Sequence, residues 1–372
     1  VYGDINWNSP KQVLDLMKNT GVSVSFIDKK TGEIKEGVNS TVLSKIDNEL
    51  VHLYLEYKKL MKLKTSYGEK FLSKISPLTG KIHSSYMQMV DTGRTSSSNP
   101  NMQQIPRMNE YRNCFEAGEG YSFVTADYSS QEVLIAADLY GETKILDWFK
   151  EGVDLHLKTA SVVWGENMIP SLHRQIAKTI VFTILYGGGP GKIASQFGLP
   201  MKVARKAVED VKALYPTLIE GLEKKAAQAL IDGYVITNNY SKRRILFEGH
   251  DEYLKAKKIY SDLIARGYEN QAMKEWINKF ESQVRRKAFN YPIQSTGADM
   301  IKLAGNLLRK LSSIHNFEIC ILIHDEWVIR CRDEDVEKVK QVVSSAMMQA
   351  GKLLLKNCSP KSDTSHSTIW TK

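Results

Sequence analysis

The stretch that most constrains this chain is Tyr121 to Glu132, YSFVTADYSSQE. Its first half is β-branched and aromatic with little charge, which reads as a buried strand. Ser129 and Ser130 then supply the start of a helix running on through VLIAADL. Asp127 therefore falls where a strand ends. A carboxylate there leaves the sheet edge from a rigid backbone, as a metal-binding acid requires, although an Asp between strand and helix also serves as an ordinary turn or cap residue.

A second acid sits in a similar place. His324-Asp325-Glu326 separates two apolar strand-like runs, ICILI and WVIR, so a tight hairpin presents Asp325 at its tip. Turn chemistry alone also favours acids there. Two carboxylates on neighbouring strands of one sheet can bridge two divalent ions about 3.5 to 4 Å apart, the geometry of two-metal phosphoryl transfer. Oxygen ligands and bound phosphates select Mg²⁺.

Between the two acids, His173 to Tyr186 has helical patterning, and Arg174, Lys178, Phe182 and Tyr186 recur every four residues. Each successive one drifts only about 40° around the axis, so all four share a face. Two cations, an aromatic and a tyrosine in a row can grip a triphosphate at one end and stack a base or sugar at the other. A salt-bridged surface with two core aromatics has the same pattern. The YGGGPGK that follows is not a Walker loop: Tyr186 stands where the first Gly belongs and Ile193 where Ser or Thr belongs. The G-x-G-x-x-G spacing fails too, and the glycines read as a tight turn after the helix.

The 372 residues suffice for about two or three domains or subdomains, and the formal charge of +9 favours a polyanionic partner, nucleic acid first. Cys114, Cys320, Cys331 and Cys358 have neither zinc-ligand nor disulfide-framework spacing, which implies a reducing, intracellular setting. No apolar run reaches membrane-spanning length and no signal pattern opens the chain. It begins at Val1 rather than Met, as expected of a piece of a longer protein.

Residues 1 to 75 read as a small lysine-rich module. Ser9-Pro10 starts a helix that Gly21 stops, VSVSFI and the segment after Thr31-Gly32 form a hairpin, and a helix runs from Thr41 to about Lys64 with lysines near its end. Those lysines read equally as a solvated face or as a face that tracks phosphates. A long Gly/Pro/Ser/Asn-rich loop follows, SPLTGKIHSSYMQMVDTGRTSSSNPNMQQIP. Residues 145 to about 284 are mostly helical, broken at Gly187–Gly191 and around Gly233–Arg244. NYPIQSTGADMIKLAGNLLRKL gives a turn and a helix, and the tail from Asp333 gives one amphipathic helix and a polar end.

Taken together, TADYSSQE, HRQIAKTIVFTILYG and LIHDEW resemble motifs A, B and C of family A DNA polymerases, the bacterial polymerase I type and its phage relatives. The second motif, R-x3-K-x3-F-x3-Y-G, is matched at Arg174, Lys178, Phe182, Tyr186 and Gly187. TGRTSSSNPNMQQIP resembles the family's primer-template loop and NYPIQSTGAD its minor-groove element, so the likeness runs from about Asn6 to the last strand.

The resemblance implies an α+β right-hand polymerase: a partial thumb at 1–75, palm at 76–144 and 285–372, and fingers at 145–284. Asp127 and Asp325 would bind two Mg²⁺ ions with the backbone carbonyl of Tyr128. Glu132 falls on the steric gate that favours dNTPs over NTPs. Arg174 and Lys178 would grip the triphosphate with help from His156, Phe182 would pack on the nucleotide, and Tyr186 would lie at the hinge by the templating position. Arg94, Asn290 and Gln294 would read the minor groove, supported by Arg286, while His324 and Glu326 would position the primer terminus. The implied activity is that of a DNA-directed DNA polymerase acting on primer-template DNA and dNTPs in replication or repair. It would be monomeric and intracellular, in the cytoplasm (a host's if the chain is viral) or in an organelle.

Ser130, Gln131, Leu134, Asp138 and Thr183 depart from the family's usual residues, none of them a metal ligand, and the triple glycine is more phage-like than bacterial. Family members often carry a proofreading exonuclease upstream, so either a longer protein or a partner is expected to supply one. Two alternatives are a single-subunit RNA polymerase and a DNA-binding module without catalysis. Glu132, Phe182 and Glu326 argue against the first, and the presence of both Asp127 and Asp325 against the second.

Overall fold

The computed structural model describes residues 5–27 and 33–371. Its backbone divides into two units, Val1–Ser84 and Ser85–Lys372. In the first, Ser9 caps helix α1 (Pro10–Asn19), with Pro10 at the position where a missing N–H costs nothing, and Gly21 turns the chain at φ +78°. Strands β1 (Ser25–Ile27) and β2 (Ile34–Glu36) pair antiparallel. The Thr31-Gly32 turn expected between them lies outside the described residues. The single helix expected from Thr41 to Lys64 is instead α2 (Ser40–Leu43) and α3 (Glu49–Tyr67), followed by α4 (Glu69–Leu72). Two asparagines cause the break. Asn39 Oδ1 accepts from the Val42 N–H and Asn48 Oδ1 from the Leu50 N–H, both at 2.9 Å, so each starts a new helix. Val13, Met17, Leu43, Val51 and Tyr54 form this unit's core. It extends past residue 75, where Ile75 pairs with Ile82 in an antiparallel bridge.

The second unit opens with a two-stranded ribbon, β3 (Ser85–Met87) and β4 (Ser96–Ser98), inside the segment read as loop, and a short α5 (Asn109–Arg112). Strand β5 (Tyr121–Tyr128) and helix α6 (Gln131–Tyr140) follow the YSFVTADYSSQE pattern, but the serines do not cap the helix with their side chains: Ser130 takes φ +50° without a side-chain cap bond, and the Ser129 hydroxyl bonds Asp363 instead. A helical region comes next: α7 (Thr143–Lys150), α8 (Leu155–Trp164), α9 (Pro170–Leu185), α10 (Pro190–Phe197), α11 (Met201–Leu214) and α12 (Pro216–Asp232). The hairpin β6 (Tyr234–Ile236) and β7 (Arg244–Leu246) interrupts it before α13 (His250–Ala265) and α14 (Gln271–His315). The chain finishes with β8 (Phe317–Ile323), β9 (Glu326–Arg332), α15 (Val336–Lys352) and β10 (Ser362–Ser367).

Strands β10, β5, β9 and β8, in that order, form one antiparallel sheet. Val124, Ala126 and Ile329 of the sheet share a core with Met300 and Ala304 of α14 and with Val343 and Met347 of α15. Two expectations are corrected here. The turn at Asn-Tyr-Pro is absent: α14 continues through Pro292 for 45 residues. The stretch around the proline is almost wholly buried from Ala288 to Ile301, so packing outweighs one lost backbone bond. The polar tail SDTSHS is strand β10, held by its backbone ladder to β5 rather than by apolar side chains. Just beyond it, fully buried Trp370 anchors the end, its backbone N–H donating to Phe115 O at 2.9 Å. All four cysteines are free, and no described helix is long and apolar enough to cross a membrane.

Candidate active site

Antiparallel register builds the first part of the site. Asp127, near the end of β5, pairs directly with Glu326 of β9 on one side and with Asp363 of β10 on the other. Residues opposed in this way project from the same face, so three acids lie in a row across three strands. Asp325 immediately precedes Glu326 in the β8–β9 turn, where His324 takes φ +52°, the left-handed conformation that two-residue hairpins demand. Asp127 and Asp325 are half-buried, Glu326 is buried and His324 exposed. Asp363 is held by Ser129, whose hydroxyl donates to it at 2.6 Å. Among the described residues no three metal-ligating side chains gather around one point. That donor set fits Mg²⁺, which is bound by one or two carboxylates and completed by water and substrate phosphates.

A second cluster surrounds Glu132 in the first turn of α6. Arg94 donates to its carboxylate at 2.6 Å, and the Tyr186 hydroxyl donates to both oxygens at 3.0–3.1 Å. Gln294 donates to Tyr186 Oη at 3.4 Å. Burial and the Glu132 carboxylate push the Tyr186 hydroxyl above the usual phenol range, so it stays a donor. Tyr186 caps the C-terminus of α9. The next residue, Gly187, lies so close to Arg286 of α14 that a Cβ would meet its Cα at 3.1 Å. Asn290, Gln294 and Arg286 lie one turn apart along α14. Asn290 is buried, and its Nδ2 has no protein acceptor.

The third cluster lies on α8 and α9. Arg174 Nε donates to Asp154 Oδ2 at 2.8 Å, and the same carboxylate caps α8 through the N–H groups of His156 and Leu157. Burial alone would raise the Asp154 carboxyl, but the Leu157 N–H and Arg174 outweigh it and hold it below the ordinary range. Lys178 is exposed. His156 is 7% exposed, and burial followed by the Lys178 charge depresses its imidazole to about 4, so it is neutral at pH 7. Phe182 lies half-buried, its ring 6.0 Å from that of His156.

The predicted residues thus fall into three groups: the acid edge with Tyr128, His324 and Glu326; the Arg94–Glu132–Tyr186–Gln294 network with Asn290 and Arg286; and Arg174, Lys178, Phe182 and His156. Sequence reasoning missed Asp363, because the tail lacks strand patterning. It also missed Asp154, although an Asp ahead of an apolar helix is a readable cap signal. The departures from family pattern are packed in. Buried Gln131 fills the space beside Gly297, where a Cβ would lie 2.7 Å from its Oε1. Asp138 accepts the N–H groups of Lys356 and Asn357 at 2.6–3.1 Å, fixing the approach to β10. The Thr183 methyl occupies the room left by Gly188, 2.8 Å from where a Cβ would stand.

The sequence pattern described as DNA polymerase family A matches residues 1–372. The chain is 32% identical over 365 residues to DNA polymerase I of Pseudomonas aeruginosa, covering 94% of this chain and 37% of that protein. Over 373 residues it is 32% identical to DNA polymerase I of Aquifex aeolicus, covering 98% of this chain and 58% of the relative. The thermostable DNA polymerase I of Thermus aquaticus is 30% identical over 328 residues, 86% of this chain and 36% of that protein. The chain therefore spans between 36% and 58% of the length of these relatives. Among solved structures, the POL domain of Pol1 from M. smegmatis, in complex with DNA primer-template and dNTP, superposes with a TM-score of 0.80 at 23% identity. The match covers 98% of this chain and 61% of that one. The α+β fold is therefore that of a Pol1 polymerase domain.

Proposed function

The chain belongs to DNA polymerase family A, and we propose that it adds dNTPs to a primer 3′-OH on a DNA template, releasing pyrophosphate. The observation that carries this is the register of β5 against β9. It brings Asp127 beside Glu326 and the Asp325 turn, from positions far apart in the chain, onto one sheet edge. In this reading residues 76–144 and 285–372 form the palm, 145–284 the fingers and 1–75 a partial thumb.

Asp127, Asp325 and the Tyr128 carbonyl would hold the metal ions at the end of the sheet. Two Mg²⁺ ions bound there would lower the pKa of the primer hydroxyl and stabilise the leaving pyrophosphate. Glu326 and His324 flank Asp325 and orient the primer end. Glu132, clamped by Arg94 and Tyr186, blocks the space of a ribose 2′-OH. Arg174 exchanges its Asp154 partner for the triphosphate, Lys178 adds a second cation, and neutral His156 serves as a hydrogen-bonding group there rather than as a charge. Phe182 packs on the incoming nucleotide. The open Nδ2 of Asn290 is a buried donor without a protein acceptor, which suits contact with the acceptors that every base pair offers in the minor groove. Catalysis on this account comes from positioning and charge neutralisation.

Primer extension tests the reading. With Mg²⁺ the chain should extend a primed DNA template using dNTPs and not NTPs, and Asp325→Ala should lower the rate by about 10³-fold or more, as expected for losing several kcal/mol of transition-state stabilisation. Full activity in that variant, or efficient extension with NTPs, would overturn it.

A further inference from the structure

We propose that Arg243 and Asp299 are positioning residues for the sugar gate: they lock the turn at Thr92–Gly93–Arg94 and so hold Arg94 against Glu132. The inference rests on the polymerase reading of Glu132 and extends it to residues that touch neither nucleotide nor metal.

Three segments distant in sequence meet at one guanidinium. Arg243 ends the β6–β7 loop, and its Nη1 donates to Thr92 O at 2.8 Å while Nη2 donates to Asp299 Oδ1 at 3.0 Å. Asp299 is 8% exposed on α14, and its other oxygen accepts Asn238 Nδ2 at 2.8 Å. Asn238 folds the same loop, its Oδ1 accepting the N–H groups of Tyr240 and Ser241 at 2.9 and 2.8 Å. The loop is thus bound to α14 at two points, and Arg243 passes that fixed position on to the Thr92 carbonyl. Lys302, less than one turn beyond Asp299, also faces the pair. Burial, and then the Arg243 charge, pull its ammonium down.

Gly93 makes the contact with the turn intimate. It adopts φ +77°, and any side chain there would run into the Arg243 guanidinium. The turn therefore rests directly on the arginine. Arg94, the next residue, reaches Glu132 at 2.6 Å. A planar fork can serve a carbonyl and a carboxylate together; a lysine is a point charge on a flexible stem and cannot reproduce that pair of directions. A carboxylate as buried as Asp299 is a poor source of stability for its own sake, since its desolvation offsets much of the attraction. Its consequence here is geometric.

The test has two arms, each run on Arg243→Ala, Arg243→Lys, Asp299→Asn and Arg94→Ala, with thermal melting to confirm folding. In the first, kcat/KM is measured for dNTPs and NTPs. Arg243→Ala should lower dNTP-over-NTP discrimination by about 10-fold, the scale of sub-ångström misplacement. Added to Arg94→Ala it should lower discrimination no further, because both act through one contact. A merely structural arginine would instead reduce both nucleotides alike, and its loss would multiply with that of Arg94→Ala. In the second arm, amide hydrogen exchange is followed across residues 88–98. Exchange there should quicken in Arg243→Lys and Asp299→Asn, which retain most of the packing if Arg243→Ala does not fold. Exchange as slow as in the unaltered chain would overturn the latch, whether or not the protein polymerises. Failure of the unaltered chain to extend primers would instead sink the polymerase reading, leaving the exchange arm to decide the latch.

Discussion

The acid edge of the sheet and the cation row of α9 are held by different kinds of bond. Asp127 and Glu326 owe their juxtaposition to backbone ladders in which every strand but the outermost is paired on both sides. Arg174 owes its direction to a side-chain ion pair with Asp154, and Lys178 projects into solvent. Backbone ladders keep their register when a substrate arrives, whereas a half-exposed ion pair can be exchanged for a triphosphate. On the proposed function, the difference separates groups that must already be in place for chemistry from groups that can change partner during binding.

That contrast can be broken at several points. On the cation row the largest effect is expected from Arg174→Ala, smaller than that of Asp325→Ala: loss of a charge-assisted grip of about 1.5–3 kcal/mol should lower kcat/KM for dNTPs by about 10- to 100-fold. Urea melting should show little loss of stability. Asp154→Ala should do the reverse, costing about 1 kcal/mol of stability through the lost cap of α8 while leaving dNTP affinity equal or better. Equal losses of affinity in the two variants would mean that the pair acts as a fixed unit.

His156 sharpens the same contrast through pH. The folded imidazole titrates near 4 and the unfolded one near its ordinary 6.5, so the unfolded state binds the extra proton between those values. Its stabilising contribution is therefore complete above about pH 6.5 and is lost as pH falls towards 4, with a slope of up to about 1.4 kcal/mol per pH unit. Unfolding free energies from pH 4.5 to 7.5 should differ between the unaltered chain and His156→Gln by a term of that sign; parallel curves would mean that the imidazole is not held neutral.

The smallest effect concerns the glycine turn after α9. Gly188→Ala should cost about 1–2 kcal/mol by overpacking against the Thr183 methyl, and Thr183→Ala should relieve most of that cost in the double variant. Additive losses in denaturant melts would disprove the compensation.

Much of this site was legible because its parts are local. The strand ending at Asp127, the turn carrying Asp325 and the stripe on α9 follow from periods of two and four residues, and the structure holds all three. Family resemblance carried the roles. What stayed hidden depends on distant partners. Nothing in SDTSHS announces β10, because its pairing with β5 is a backbone matter, and so Asp363 could not be seen beside Asp127. Pro292 looks like a boundary until burial of its surroundings is known. Asp299 reads as one polar residue in an amphipathic helix. Only the fold shows that its carboxylate faces Arg243 and Asn238, which belong to a loop dozens of residues earlier.

Helix α14 has a mechanical consequence. Its buried stretch around Asn290 acts as a fulcrum, from which the exposed end near Gln271 extends roughly 28 Å and Gln294 only about 6 Å the other way. A rocking of about 5° would shift Gln294 by about half an ångström, below what most reporters resolve, yet carry the far end about 2.5 Å. A fluorophore on the loop at 266–270 would therefore amplify about fivefold any small rotation of α14 about Asn290.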